Sequence, residues 1–324
     1  MLRVERDQSD IRVLQTRRWE SSFHAPVMVD EVVGLFAGAL EVLDCTLGGG
    51  GHSEALLVAG SSVTALDRDE TAVDEARKRL ASYEVSGRFR AIRGNFAEID
   101  RLQQLADRRF DGILADLGVS SHQLDTDERG FSFRPGALLD MRMDRRSHTT
   151  AAELLNTLDE AELSNIFRDY GDEPRANRLS REIVRRRARR PMNNSDDLVD
   201  AIRGAFGARM GPGDFARLFQ AVRIAVNDEL DALQEALPLL RDRLVPGGTL
   251  VVIAYHSGED RLVKHTMREW SQACICPPRQ LQCTCRGKPL GELLTKRAVT
   301  ARDEERTINP RSRSARLRAW RSAA

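Results

Sequence analysis

No apolar run in this chain approaches the ~20 residues that a membrane span requires, and Met1 to Glu20 lack the apolar stretch of a secretory signal. Glu5, Asp7 and Asp10 speak against an organelle-import leader, so a cytoplasmic protein with no membrane partner is expected. Net charge is nearly absent as well. At +1 it excludes global attraction to nucleic acid, so any such contact must come from local clusters. Internal repeats and low-complexity tracts are missing, which excludes a solenoid or a linker-dominated chain. What remains is a globular protein whose 324 residues and 41% hydrophobic content can build two domains, or one domain with a large insert.

One further absence is diagnostic. Asp44-Cys45-Thr46-Leu47-Gly48-Gly49-Gly50-Gly51-His52-Ser53 follows the apolar Val42-Leu43 and leads into Glu54-Ala55-Leu56-Leu57, a strand, glycine turn and helix start that lay backbone N–H groups beside a ligand. A dinucleotide fingerprint needs a third glycine three residues after its second, and Ser53 or Glu54 stands there. An acid four residues before the first glycine is instead the pattern of S-adenosylmethionine sites. Further strand-like runs follow: Ser62 to Leu66, ending in Asp67; Arg88 to Ile92, leading to Gly94-Asn95-Phe96; and Phe110 to Ala115, ending in Asp116. Helical stretches such as Glu70 to Leu80 separate them. Alternation of this kind predicts a Rossmann-like α/β core, a parallel sheet covered by helices on both faces with ligands at the carboxyl ends of its strands. Asp67, about twenty residues after the loop, is placed to bond ribose hydroxyls.

After Asp125 strand-like runs stop until Leu250-Val251-Val252-Ile253-Ala254, and the intervening chain reads as helical. Gly211-Pro212-Gly213 breaks one helix, and Phe219 to Leu244 reads as a long helix that Pro246-Gly247-Gly248 ends. The expected organisation is a methyltransferase core over 21–125, a helical insert over 126–215, and a second part of the core with a basic C-terminal tail over 216–324. Within the insert, Arg178, Arg181, Arg185 and Arg189 fall on one helical face, and between Arg175 and Arg190 the only acid is Glu182. With the basic stretch from Arg311 to Arg321, this stripe is expected to contact RNA phosphates; a solvated helix face is the plainer alternative. Cys45 reads as buried packing. Cys274-x-Cys276 and Cys283-x-Cys285 read as reduced thiols in a loop ahead of a zinc site, because zinc pairs are usually spaced by two or more residues. No metal is therefore expected.

The stretches from His24 to Val32, Thr46 to Ser53, Asp116 to Asp125, Arg129 to Phe133, Asp140 to Asp144, Arg223 to Leu230, His256 to Arg261 and Asn309 to Ala315 resemble, in order, the small-subunit ribosomal RNA cytosine-N4 methyltransferases (the RsmH, or MraW, family). His122 and Gly258 depart from it, standing where the family has proline and a larger apolar residue. The resemblance implies a methyltransferase core with an inserted substrate-recognition domain and S-adenosylmethionine as cofactor. Its target would be one cytosine in the decoding region of 16S ribosomal RNA, within an assembled small subunit. Carried over by motif, the cofactor residues are Gly50, Gly51, His52, Asp67, Phe96, Asp116 and Gln123. His52 also reads as a helix-start cap and Phe96 as core.

Methylating cytosine C5 ordinarily needs a cysteine nucleophile, and none here sits in a matching motif. An exocyclic amine needs only acceptors that orient it toward the activated methyl. Asp116 is the candidate acceptor, with Asn95, Ser120 and His256 beside it as catalytic candidates, although Asp116 equally fits the methionine amino group of the cofactor. The rival readings are a cofactor-binding ribosome-assembly factor without catalysis and a methyltransferase of another substrate.

Overall fold

The computed structural model describes Trp19 and residues 25–277, 280 and 282–324. His24 and the acids of the leader lie outside the described residues. Along the chain run α1 (Val29–Leu35), β1 (Glu41–Asp44), α2 (Gly51–Val58), β2 (Ser62–Asp67), α3 (Glu70–Arg79), β3 (Phe89–Arg93) and β4 (Phe110–Asp116). Helices follow: α4 (Ser121–Asp125), α5 (Ala151–Thr157), α6 (Glu160–Asp169), α7 (Ala176–Arg187), α8 (Ser195–Phe206), α9 (Pro212–Asn227) and α10 (Glu229–Asp242). The chain closes with β5 (Leu244–Ala254), α11 (Ser257–Trp270), β6 (Gly291–Leu293), β7 (Val299–Thr300), α12 (Asp303–Ile308) and β8 (Arg316–Ser322).

Two compact units result, one of residues 1–118 and 232–324 and the other Val119–Asp231. The first holds an eight-stranded sheet in the order β3-β2-β1-β4-β5-β8-β6, with β7 also on β8. Its strands are apolar runs because both faces are buried. Val251 and Ile253 of β5 join Leu56, Val73, Ala76 and Leu80 in one core. Leu250, Val252 and Ala254 join Leu237, Leu240, Met267 and Trp270 in the other.

The sheet is mixed rather than wholly parallel. β3 to β5 run parallel, whereas β8 lies antiparallel between β5 and β6. The expected basic tail is therefore an internal strand. Leu317 and Ala319 enter one core and Trp320 the other, and the buried Arg318 is taken by Asp260 at 2.7 Å.

The second unit is helical around its own core of Phe167, Leu179, Ile183, Leu198, Ile202, Phe219 and Val222. Its cuts fall at Gly118 and Asp231 rather than at 125 and 215, because Val119 and Leu124 pack on this core and Phe215, Leu218, Phe219, Ala221, Val222 and Val226 of α9 belong to it. The single long helix expected from Phe219 to Leu244 is two, broken where Asp228 adopts φ 49°; it stops at Asp242, and Pro246-Gly247-Gly248 lies inside β5. Gly207 rather than Gly211 ends α8, and Pro212 starts α9, a position where its missing N–H is harmless. Asn227 clamps the unit's irregular segment: Nδ2 donates to Met141 O at 2.7 Å and Oδ1 accepts from Met143 N at 2.8 Å. Arg223 and Glu229 form a two-pronged pair at 2.8 Å beside it. Among the described residues no helix is long and apolar enough to cross a membrane.

Truncation after Ala315 tests the placement of β8. It strips the partner from β5 and opens both cores of the sheet unit, so the thermal transition of the shortened chain by circular dichroism should keep only the helical unit's share. A dispensable tail would leave the transition in place.

Candidate functional site

β1 is where the chain reverses direction across the sheet: β2 and β3 lie to one side of it, β4 and β5 to the other. Such a switch point leaves a crevice outside the carboxyl ends of its strands. Asp44 ends β1, Asp67 ends β2 and Asp116 ends β4, so the three acids gather along that edge.

The acids hold the glycine loop. Asp44 accepts from Thr46 N at 3.1 Å and from Ser53 Oγ at 2.7 Å. Asp67 accepts from Gly48 N at 2.8 Å and from Asp69 N at 2.9 Å. Gly50, at φ 78°, takes the left-handed turn that L side chains avoid. Gly51 is required for a different reason: a Cβ there would lie 2.6 Å from Pro26 Cγ.

Asp116 is the hub. Its N–H donates to Thr46 Oγ1 at 2.7 Å, and its Oδ1 accepts from the Tyr255 hydroxyl at 2.8 Å. Its Oδ2 lies 3.6 Å from His52 Nδ1. His52 Nε2 lies 2.8 Å from the Val27 carbonyl, which can only accept, so the ring proton sits on Nε2 and the imidazole is locked between α1's approach and Asp116. Thr46 and Tyr255 escape notice in the sequence; the signal for Tyr255 is a hydroxyl at the end of the apolar run of β5.

Other expected residues have structural duties. Asn95 caps the short helix that begins at Phe96, accepting from Ala97 N at 3.1 Å, and Phe96 is half-buried against the core. His256 caps α11: Nδ1 accepts from Glu259 N at 3.4 Å, while the buried Nε2 makes no hydrogen bond. Ser120 and Gln123 belong to the second unit, where they form the capping box of α4. In the same unit the four stripe arginines are exposed, but Arg185 is bound by Glu182 at 2.6 Å and Arg181 faces Glu160 at 3.5 Å.

A model of the MraW methylase family matches residues 21–323. The chain belongs to this family. Among its curated relatives, the ribosomal RNA small subunit methyltransferase H of Gemmatimonas aurantiaca is 60% identical over 93% of this chain and 96% of its own. The protein of that name from Pelobacter propionicus is 47% identical over 91% and 97%. An rRNA methylase from Streptococcus thermophilus overlays with a TM-score of 0.41 at 11% identity, covering 91% of this chain and 94% of its own.

The cofactor of this MraW-family methylase is S-adenosylmethionine, and the donor set fits it. Sulfonium and ammonium are cationic centres, and the edge carries acids. Among the described residues no lysine or arginine forms an ion pair with Asp44 or Asp116, while the neighbouring Arg68 acts on Asp67 and draws its carboxyl down. Burial raises the Asp44 carboxyl above its ordinary value and pushes Asp67 and Asp116 up to about 6 each. For Asp116, His52 and the Tyr255 hydroxyl pull the other way, while Asp44 and Glu259 add to the rise. A ribose-binding role also suits Asp67, whose oxygens each have capacity beyond one N–H.

Beside Tyr255 and His256 opens a cleft of about 450 Å³ that Arg261, Lys264 and Arg316 also line. It shares Ser314 and Arg316 with a second, lined further by Arg306 and Arg313. Among the described residues Arg261, Lys264, Arg313 and Arg316 make no ion pair.

The raised carboxyls make stability depend on pH. Unfolded, these groups titrate near 3.8; folded, Asp67 and Asp116 do so near 6. Between those values the folded state binds more protons, so stability should fall as pH rises through that window and stay reduced above it. Asp116→Asn keeps the Tyr255 contact and removes one of the two titrations. Urea melts should show a flatter pH dependence and, at about pH 7, a gain on the order of 2–3 kcal/mol over wild type. A variant that tracks wild type from pH 4 to 7 would refute the charge assignment.

Proposed function

We propose that this methylase transfers the methyl group of S-adenosylmethionine to the exocyclic N4 amine of a cytosine in the decoding region of 16S ribosomal RNA, within an assembled small subunit. The observation that carries the reading is the set of strand-end acids at the switch point, centred on Asp116, whose carboxyl has no lysine or arginine partner among the described residues. The names of the curated relatives support small-subunit ribosomal RNA as the substrate.

The cofactor supplies, when bound, a methyl group activated on a sulfonium. The protein's part is to hold the acceptor nitrogen in line, exclude water and stabilise the charge that develops. Asp116 accepts from the amine, stabilises the positive charge that grows on nitrogen as the N–C bond forms, and takes the proton the nitrogen sheds. Its raised carboxyl suits that task, because a base works best with a pKa near the working pH. The Tyr255 hydroxyl fixes one of its oxygens. Cys45 does not serve as a ring nucleophile: it is 2% exposed and burial pushes its thiol well above the ordinary range. Asp67 would hold the ribose hydroxyls, the backbone of Gly50 and Gly51 would face the cofactor, and Phe96 would pack on the adenine. His256 steadies the flipped base from the start of α11.

The helical unit supplies substrate recognition, with Arg178 and Arg189 as the stripe residues clear of acids. The unpaired cations of the cleft by Tyr255 extend the phosphate-binding surface on the first unit. Replacing Arg261, Arg313 and Arg316 with alanine should reduce the salt slope of RNA binding by about 2 and leave cofactor affinity unchanged. The triple replacement of Arg181, Arg185 and Arg189 should reduce it less, because Glu182 and Glu160 already engage two of them. The reverse ranking would return the phosphate contacts to the stripe.

Mass spectrometry of ribosomal RNA nucleosides from cells with and without the protein tests the reaction itself. N4-methylcytidine should disappear with the protein and return with the wild-type chain. In single turnover at saturating cofactor, Asp116→Asn should slow transfer by roughly two to three orders of magnitude, as loss of a transition-state electrostatic contact does. Subunit and cofactor binding without N4-methylcytidine would favour an assembly factor, and a different methylated product would assign another substrate.

A further inference from the structure

Between Trp270, the last residue of α11, and Gly291, the first of β6, the described residues form no helix or strand. A segment of that length is uncommon in a compact domain unless something ties it. Its base is pinned, since Leu290 N donates to Trp270 O at 2.8 Å. Its interior carries no buried apolar cluster. It carries Cys274, Cys276, Cys283 and Cys285 instead, whose sulfurs all lie within 4.8 Å of one another.

The spacing of those sulfurs is that of a coordination shell. Ligands about 2.3 Å from a central ion at tetrahedral corners stand about 3.8 Å apart. Cys274 lies 3.8 Å from Cys283 and 3.8 Å from Cys285, and Cys276 lies 3.9 Å from Cys283. Cys283 and Cys285 are slightly closer, at 3.4 Å. Backbone N–H groups aim at the sulfurs in a reciprocal pattern. Ile275, between the first two cysteines, donates to Cys285 Sγ at 3.4 Å, and Thr284, between the second two, donates to Cys276 Sγ at 3.4 Å. Donors placed this way stabilise thiolates, which are the metal-binding form.

The one-residue spacing within each pair argued against a metal when read alone. It ceases to do so here, because the two Cys-x-Cys segments face each other and each supplies the N–H that the other's sulfur needs. Four thiolates with no oxygen ligand exclude magnesium and calcium and suit a borderline-soft ion of tetrahedral preference. We propose that this loop binds one zinc ion through Cys274, Cys276, Cys283 and Cys285, and that the ion takes the place of a hydrophobic core in ordering the segment between α11 and β6. Arg286 reinforces the closed form by donating to Gln272 O at 3.2 Å and Lys288 O at 3.1 Å. The site stands apart from the residues assigned to cofactor and base, so it is structural.

The test uses the full-length protein purified under reducing conditions without chelator. Metal analysis should find about one zinc per chain. Exchange with cobalt(II) should give the sulfur-to-metal charge-transfer bands and intense visible bands of a tetrahedral thiolate site. The double variant C276S/C283S should lose both signals while S-adenosylmethionine affinity stays within twofold of wild type. Wild-type protein that takes up neither ion, whether its four thiols are found reduced or paired as disulfides, overturns the proposal, and so do cobalt bands that survive in the variant. The wild-type measurement decides the matter even if the variant fails to fold.

Discussion

Carboxylates buried at the strand ends are the constraint around which the first unit is arranged. A desolvated carboxylate must be given donors or lose its charge. Here the donors come from every strand end near the switch point: Thr46 N and Ser53 Oγ for Asp44, Gly48 N and Asp69 N for Asp67, Tyr255 for Asp116. The contacts that satisfy the acids are therefore the ones that fix the loops after β1, β2, β4 and β5 against one another. Pocket shape and negative charge have a single origin, and a cationic ligand relieves the strain that the apo protein carries.

This arrangement explains why the strand-end acids and the glycine loop were legible in the sequence. Strands buried on both faces announce themselves as apolar runs, and an acid at the end of each such run marks the ligand edge. Asp44, Asp67 and Asp116 could be found that way, as could the glycine loop. Tyr255 could not, because a lone tyrosine after a strand has no period and no spacing to distinguish it; its role exists only once β4 and β5 lie side by side. β8 was hidden for the opposite reason. Its alternation of Leu317, Ala319 and the arginines between them is a strand pattern, but the positive charge drew it toward the reading of a tail. The break at Asp228 was equally invisible, since an aspartate in a left-handed turn leaves the helical periodicity on either side intact.

Charge shows how far local patterns mislead. The stripe on α7 looked unbalanced along the chain because Glu160 reaches it from α6 and the one acid on α7, Glu182, engages two arginines at once. Of the cleft cations, Arg313 and Arg316 belong to the basic stretch legible from Arg311 to Arg321, whereas Arg261 and Lys264 come from a distant segment and formed no run. Cysteine spacing behaved the same way, since pair distance along the chain says nothing about whether two pairs will face each other.

The internal position of β8 has a consequence in time. Its residues follow those of every other strand in chain order, and they lie between β5 and β6 rather than at an edge. Until they emerge, β5 presents an unpaired flank, and neither core on the sheet has its Leu317 or Trp320. Pairings between distant segments form slowly and follow the synthesis of both partners. The helical unit, with a core drawn from one continuous stretch, has no such wait. Chain order thus separates the two units: the helical core is available as soon as its own stretch is made, whereas the sheet that carries the pocket closes only once β8 has been made.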